Sequence, residues 1–170
     1  TPSNSSAASD VYKRQQKAVE LFKSGYNCSQ SVVAAFADMY GFTQEQALRM
    51  AASFGGGIGR MRETCGAACG LFLVAGLKTG ATEAADREGK AANYAVVQEL
   101  AAEFKKRNGS LICAELLGLK KKEPVSTVPE ERTAQYYSKR PCAKMVEEAA
   151  RIWVEYCLLY TSDAADELEG

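Results

Sequence analysis

Residues 63–76 read ETCGAACGLFLVAG, and the run just before them, 54–61, reads FGGGIGRM. Cys65 and Cys69 stand one helical turn apart, separated only by glycine and alanine. In an α-helix that spacing puts the two residues about 6 Å apart along the axis, a poor arrangement for a disulfide between them. The apolar residues that follow carry the helix from near Thr64 to about Gly80. A surface of Gly66, Ala67 and Gly70 lets a neighbouring chain come close.

The same periodicity extends in both directions. QKAVELFKSG puts Val19 and Phe22 on one helical face and stops at Gly25, a C′ glycine. NCSQSVVAAFADMYG starts at Asn27 as N-cap and ends at Gly41. TQEQALRMAASFG opens with Thr43 and Glu45 and runs to the glycines. Thr82 and Glu83 open a long helix that closes on Lys105, Lys106, Arg107 and Gly109, with the cations at the negative end of the dipole. SLICAELLG is a short helix capped by Ser110 and ended by Gly118. Residues 120–140, with the basic run Lys120 to Lys122 and with Pro124 and Pro129, read as an exposed loop. Pro141, a favoured first helical residue, starts a last helix through CAKMVEEAARIWVEY. No segment alternates as a strand does. The expected fold is all-α, a compact single-domain bundle of six or seven helices.

The chain ends carry no fold signal. SSAASDVYKRQ (Ser5 to Gln15) and CLLYTSDAADE (Cys157 to Glu167) translate one common sequencing-library adapter in its two orientations. Such segments are set aside from fold reasoning. Residues 1–15 and 157–170 are therefore read as adapter-derived artefact, and 16–156 as the natural helical domain, a prokaryotic reading frame from metagenomic DNA. With its native N terminus missing, the protein is expected to be cytoplasmic.

The whole chain carries 21 Lys and Arg against 21 Asp and Glu, and no histidine. Residues 16–156 keep 19 basic and 16 acidic residues. So even a balance argues against nucleic-acid or membrane-surface binding, and no apolar run is long enough for a transmembrane helix. The lack of histidine excludes a Cys–His pair, a Ser–His–Asp triad and a Cys₂His₂ zinc site. GGGIG follows no strand, which argues against a nucleotide-binding fingerprint.

Cysteine placement is the informative feature. Setting aside Cys157, there are five: Cys28, Cys65, Cys69, Cys113 and Cys142. An odd count at wide spacing does not resemble a secreted disulfide framework. Cys28 follows Asn27, Cys65 follows Thr64, Cys113 lies three residues after Ser110, and Cys142 follows Pro141. Four of the five fall in the first turn of four different helices. A helix start offers unpaired N–H groups and about half a positive charge, and cysteines there ionise more readily. Gly55, Gly56, Gly57 and Gly59 add backbone N–H groups without bulk, a candidate anion nest, and Arg60 and Arg62 add positive charge. Tyr136, Tyr137 and Trp153 read as core or interface.

Four blocks, GYNCSQSV, FGGGIGRMRETCGAACG, NGSLICAELLG and RPCAKMVEEAA, together resemble the C-GCAxxG-C-C family of redox-active proteins over residues 20–156. The resemblance implies a small helical protein whose characteristic cysteines, here Cys28, Cys65, Cys113 and Cys142, form a redox-active or metal-binding centre. Cys69 departs from the family pattern, which has a small non-cysteine residue there, and is a fifth candidate metal ligand or a resolving thiol.

Three functions follow from this set. Four thiolates match the ligand demand of an iron–sulfur cluster, with an electron donor or acceptor not identified by the sequence. Adjacent low-pKa thiols without metal suit thiol–disulfide chemistry. A structural zinc site, or a helical binding module without metal, is the third, although only Cys65 and Cys69 have close-pair spacing.

Overall fold

In the computed structural model, Asn27 starts the central helix by closing a capping box. Its side chain accepts the Gln30 N–H at 2.9 Å, and the Gln30 side chain accepts the Asn27 N–H at 3.1 Å. Backbone is described for residues 2–120 and 125–169, and side chains for 9–10, 12–120 and 125–160. Eight α-helices lie among these residues: α1 (Pro2–Lys23), α2 (Cys28–Phe36), α3 (Gln44–Ala51), α4 (Gly66–Thr79), α5 (Arg87–Asn108), α6 (Cys113–Leu116), α7 (Ala134–Lys139) and α8 (Cys142–Glu169). The all-α expectation holds, and the bundle forms one domain.

Helix α2 is buried from Ser31 to Phe36 on every face, as a helix at the centre of a bundle must be. It packs against α1, α3, α4 and α8. Its contact with α4 is close because of Gly70, where a Cβ would lie 2.9 Å from Val32 Cβ and 3.0 Å from the Ser29 carbonyl oxygen. Phe22, Phe36, Leu71, Phe104 and Trp153 are fully buried in the core. Each such side chain contributes about 1.5–3 kcal/mol of transfer free energy. The indole N–H of Trp153 donates to the Tyr40 hydroxyl at 3.2 Å, which satisfies its one polar group.

Several boundaries differ from the sequence reading. Helix α5 starts at Arg87, where the Asp86 carboxylate accepts the Gly89 N–H at 2.8 Å; Thr82 and Glu83 precede it. Ser110 accepts the Ile112 N–H at 2.9 Å and turns the chain, but the short helix α6 begins at Cys113. The Pro141 carbonyl accepts the Met145 N–H at 3.0 Å, so Pro141 precedes α8 and is not its first residue. Helix α7 lies inside the segment read as loop, started by Thr133, whose hydroxyl accepts the Tyr136 N–H. The loop residues Lys121, Lys122 and Pro124 lie outside the described residues. Helices α1 and α8 run into the two end segments, and Gln15 and Cys157 are buried. Among the described residues no helix is long and apolar enough to cross a membrane.

Candidate functional site

The glycine loop adopts an unusual backbone. Gly56, Gly57, Ile58, Gly59 and Arg60 are consecutive left-handed residues, with φ between 57° and 75°, and Arg62 is a sixth at 63°. Left-handed backbone is ordinary for glycine and rare for a β-branched residue such as Ile58. The coil holds itself together: the N–H groups of residues 58–63 all donate to carbonyls of residues 53–58. Of the glycines expected to offer their N–H groups as an anion nest, Gly59 has its own taken up by the Ser53 carbonyl. What the loop supplies is a bare backbone edge, against which cysteines pack.

From this coil the chain runs directly into α4, and a second segment is stitched alongside it. Thr64 and Ile112 form an antiparallel bridge. The Cys65 N–H donates to the Leu111 carbonyl at 2.7 Å, and the Cys113 N–H donates to the Glu63 carbonyl at 2.6 Å. Two backbone hydrogen bonds thus bring Cys65, the N-cap of α4, to Cys113, the first residue of α6. Gly66 does the same for Cys28: a Cβ there would lie 3.3 Å from the Cys28 Cβ and 2.9 Å from the Phe54 carbonyl oxygen. Cys142 is the first residue of α8.

Cys28, Cys65, Cys113 and Cys142 all line one cavity of about 310 Å³. Gly55, Gly56, Gly57, Gly59 and Arg60 line it too. Cys69 does not line it; it is buried, and its thiol donates to the Thr64 carbonyl at 3.7 Å. Four arginines reach the wall, Arg60, Arg62, Arg132 and Arg140, against one acid, Glu130. Arg62 points at Cys113, its guanidinium 3.8 Å from Sγ. Arg132 donates to the carbonyls of Phe22 (2.9 Å) and Tyr26 (3.0 Å) and stacks on Phe22 and Tyr136. Arg140 lies over the other part of the Tyr136 environment, 5.6 Å from the ring centroid.

Burial decides the thiol chemistry. Desolvation pushes Cys65 up to about 12, although the nearby Ala68 and Ala67 amides favour its thiolate without closing a capping hydrogen bond. It pushes Cys69 up to about 11, and it raises Cys113 against the opposing pull of Arg62. Helix starts alone therefore do not make these thiols acidic, contrary to the expectation from the dipole, because the loss of water disfavours the charged form more strongly. Cys142 is the exception, lowered to about 7. The Cys28 thiol hydrogen-bonded to it is the largest cause, followed by Arg140, Tyr136 and Arg132, all working against burial. Cys28 moves the opposite way, raised well above its ordinary value by the same contact and by burial.

Among the described residues, no three His, Cys, Asp or Glu side chains are gathered closely enough to hold one metal ion. The four thiols line one cavity without forming such a group. Tyr136, Arg132 and Arg140 belong to the site and were not singled out from sequence; Tyr136 in particular read as core. The available signal was the position of Arg140, two residues before Cys142 in RPCAKM.

No curated protein and no solved structure matches the chain. Over residues 26–156 it matches the family model described as "Putative redox-active protein (C_GCAxxG_C_C)", and the chain belongs to that family.

Proposed function

We propose that the cavity is a metal-free thiol redox centre in which Cys142 and Cys28 interconvert between dithiol and disulfide. The observation that carries this reading is that Cys28 and Cys142 line one arginine-rich cavity, in which Cys142 is the thiol whose pKa is lowered. Cys142 is the attacking thiolate, since the thiolate is the nucleophile in exchange. Cys28 keeps its proton until the second step and then closes the disulfide. Cys65 and Cys113, both raised by burial, stay reduced.

Oxidation of the full chain with diamide, followed by proteolysis and mass spectrometry, tests this. A Cys28–Cys142 linked peptide is the expected product. Linkage through Cys65 and Cys69, or no linkage, overturns it.

A second reading follows from the number of thiols. Four cysteines on one cavity match the ligand count of an iron–sulfur cluster, which attaches at several points and so suits a spread of thiols better than a single ion. Cys28, Cys65, Cys113 and Cys142 would hold it and would lose their protons on binding. Elemental analysis after anaerobic reconstitution, with visible absorption and EPR, separates the two: about four irons per chain with a cluster spectrum favours the second, and a colourless protein without iron favours the first.

A further inference from the structure

The cavity wall carries an excess of positive charge that the thiols do not require. Arg60, Arg62, Arg132 and Arg140 face it, while residues 16–156 as a whole are nearly balanced. Two of these cations, Arg60 and Arg140, are largely sheltered, with side-chain exposures of 18% and 19%. Sheltered like charges repel one another unless an anion stands between them. Here that anion is Glu130: its carboxylate ion-pairs with Arg60 at 3.9 Å and also with Arg140. Glu130 itself is 45% exposed and sits on the extended segment between residues 125 and 133. It is anchored less firmly than the guanidinium groups that hold it. Arginine forks recognise carboxylates by geometry as well as charge. A carboxylate therefore already occupies the position between Arg60 and Arg140, supplied by the chain and open to displacement.

We propose that the substrate of this cavity is a small disulfide bearing carboxylate groups, held by Arg60 and Arg140 in the place that the Glu130 carboxylate takes. The inference rests on Cys142 and Cys28 being the redox pair. The cavity, about 310 Å³, is at the small end for ligand sites, which suits a compact molecule. The Cys142 thiolate attacks one sulfur of the substrate R–S–S–R, forming a Cys142–S–S–R mixed disulfide and releasing RS⁻. Cys28 then gives up its proton and its sulfur attacks the Cys142 sulfur. The second RS⁻ leaves and takes that proton. The dithiol is oxidised to the Cys28–Cys142 disulfide, and the substrate is reduced to two thiols.

The test is the single-turnover rate of the reduced full chain with three disulfides of similar size: dithiodipropionate, hydroxyethyl disulfide and cystamine, carrying two negative charges, none and two positive charges. Each rate is divided by that of dithiothreitol with the same disulfide, which removes the intrinsic reactivity. The dianion is expected to exceed the dication by at least about tenfold, falling as salt is added, as for a charge-steered encounter. Arg140→Gln should shrink the dianion-to-neutral ratio, and Glu130→Gln should raise it by emptying the position. Equal or reversed selectivity, with a Cys28–Cys142 disulfide still formed, overturns the substrate inference and leaves the redox pair intact. If none of the three disulfides nor diamide links Cys28 to Cys142, the redox-pair reading itself fails, and this inference with it.

Discussion

A Cβ placed on Gly57 would lie 2.6 Å from the Cβ of Cys113 and 2.8 Å from the Arg62 Cα. The coil and the cysteine are packed backbone to side chain, so the glycine sets where Cys113 can stand. Gly57→Ala must also hold an alanine at φ 75°. A left-handed residue costs about 1–2 kcal/mol, and overpacking adds about 1–3 kcal/mol. The substitution should therefore destabilise by roughly 2–5 kcal/mol, read by chemical denaturation. Gly76→Ala is the contrast: Gly76 is helical, exposed and has nothing within 4 Å of a built Cβ. It should stabilise by about 0.5–1 kcal/mol. Equal effects from the two would show that Gly57 has no packing role.

The contact between Cys28 and Cys142 predicts a distinctive alkylation profile. Labelling of Cys142 by iodoacetamide, followed peptide by peptide, should rise with a midpoint near pH 7. Cys65, at about 12, should remain almost silent through the same range. Cys28→Ala removes the hydrogen-bond donor that contributes most to the lowering, and should move the Cys142 midpoint upward toward the ordinary value of 9.0. A midpoint that does not move in Cys28→Ala would leave the arginines and Tyr136 as the sole cause.

The same thiols shape stability against pH, with opposite signs. Cys142 is lowered from 9.0 to about 7 on folding. Between those values the unfolded chain binds the extra proton, so this thiol contributes stability that grows from pH 7 to 9 and is lost as the pH falls through 7. Cys65 is raised from 9.0 to about 12, and Cys69 to about 11. Their contribution is full below pH 9 and is lost as the pH rises through those folded values. Urea midpoints measured with reduced protein should peak near pH 9. Replacing Cys142 with serine should remove the rise on the acid side and keep the fall on the alkaline side.

The part of this site that local sequence rules reach is the set of helix starts. Asn27 and Thr43 carry capping boxes that can be read directly, and both form. Only Cys28 is placed by one of these caps; Cys65, Cys113 and Cys142 are placed by the breaks at the glycine run, Ser110 and Pro141 and by the periodicity that follows them. Their meeting around one cavity agrees with the placement, but it depends on the bridge between Thr64 and Ile112, which joins segments with no strand pattern. The ionisation of the thiols was not legible, because it turns on depth of burial, whereas the dipole argument sees only the backbone. At GGGIG the Gly59 amide, one of the four expected to face the site, is taken up within the coil. Amide direction there depends on a run of positive φ angles that includes Ile58 and Arg60, residues that ordinarily avoid them. Helix α7 and the inward-facing Arg132 were hidden because their position comes from docking onto the Phe22 and Tyr26 carbonyls, more than 100 residues earlier in the chain.

That docking gives the last prediction. Arg132 donates to the Phe22 carbonyl in the last turn of α1 and the Tyr26 carbonyl just beyond it, and lies 4.3 Å from the Phe22 ring centroid and 5.0 Å from that of Tyr136. The segment it anchors carries Tyr136 and Arg140, both of which favour the Cys142 thiolate. Arg132→Ala removes two charge-assisted hydrogen bonds, of about 1.5–3 kcal/mol each at most, together with the stacking. The core helices do not depend on this segment, which is exposed from residue 125 to 131. The loss should therefore appear as local release: faster proteolytic cleavage between 125 and 133, with little change in far-ultraviolet circular dichroism. Because the Arg132 charge itself favours the Cys142 thiolate, and Arg140 and Tyr136 move with the segment, Cys142 should become less acidic in the same variant, with its alkylation midpoint above 7. Rapid cleavage with an unmoved midpoint would mean that neither the Arg132 charge nor its anchoring of Arg140 and Tyr136 sets the Cys142 acidity.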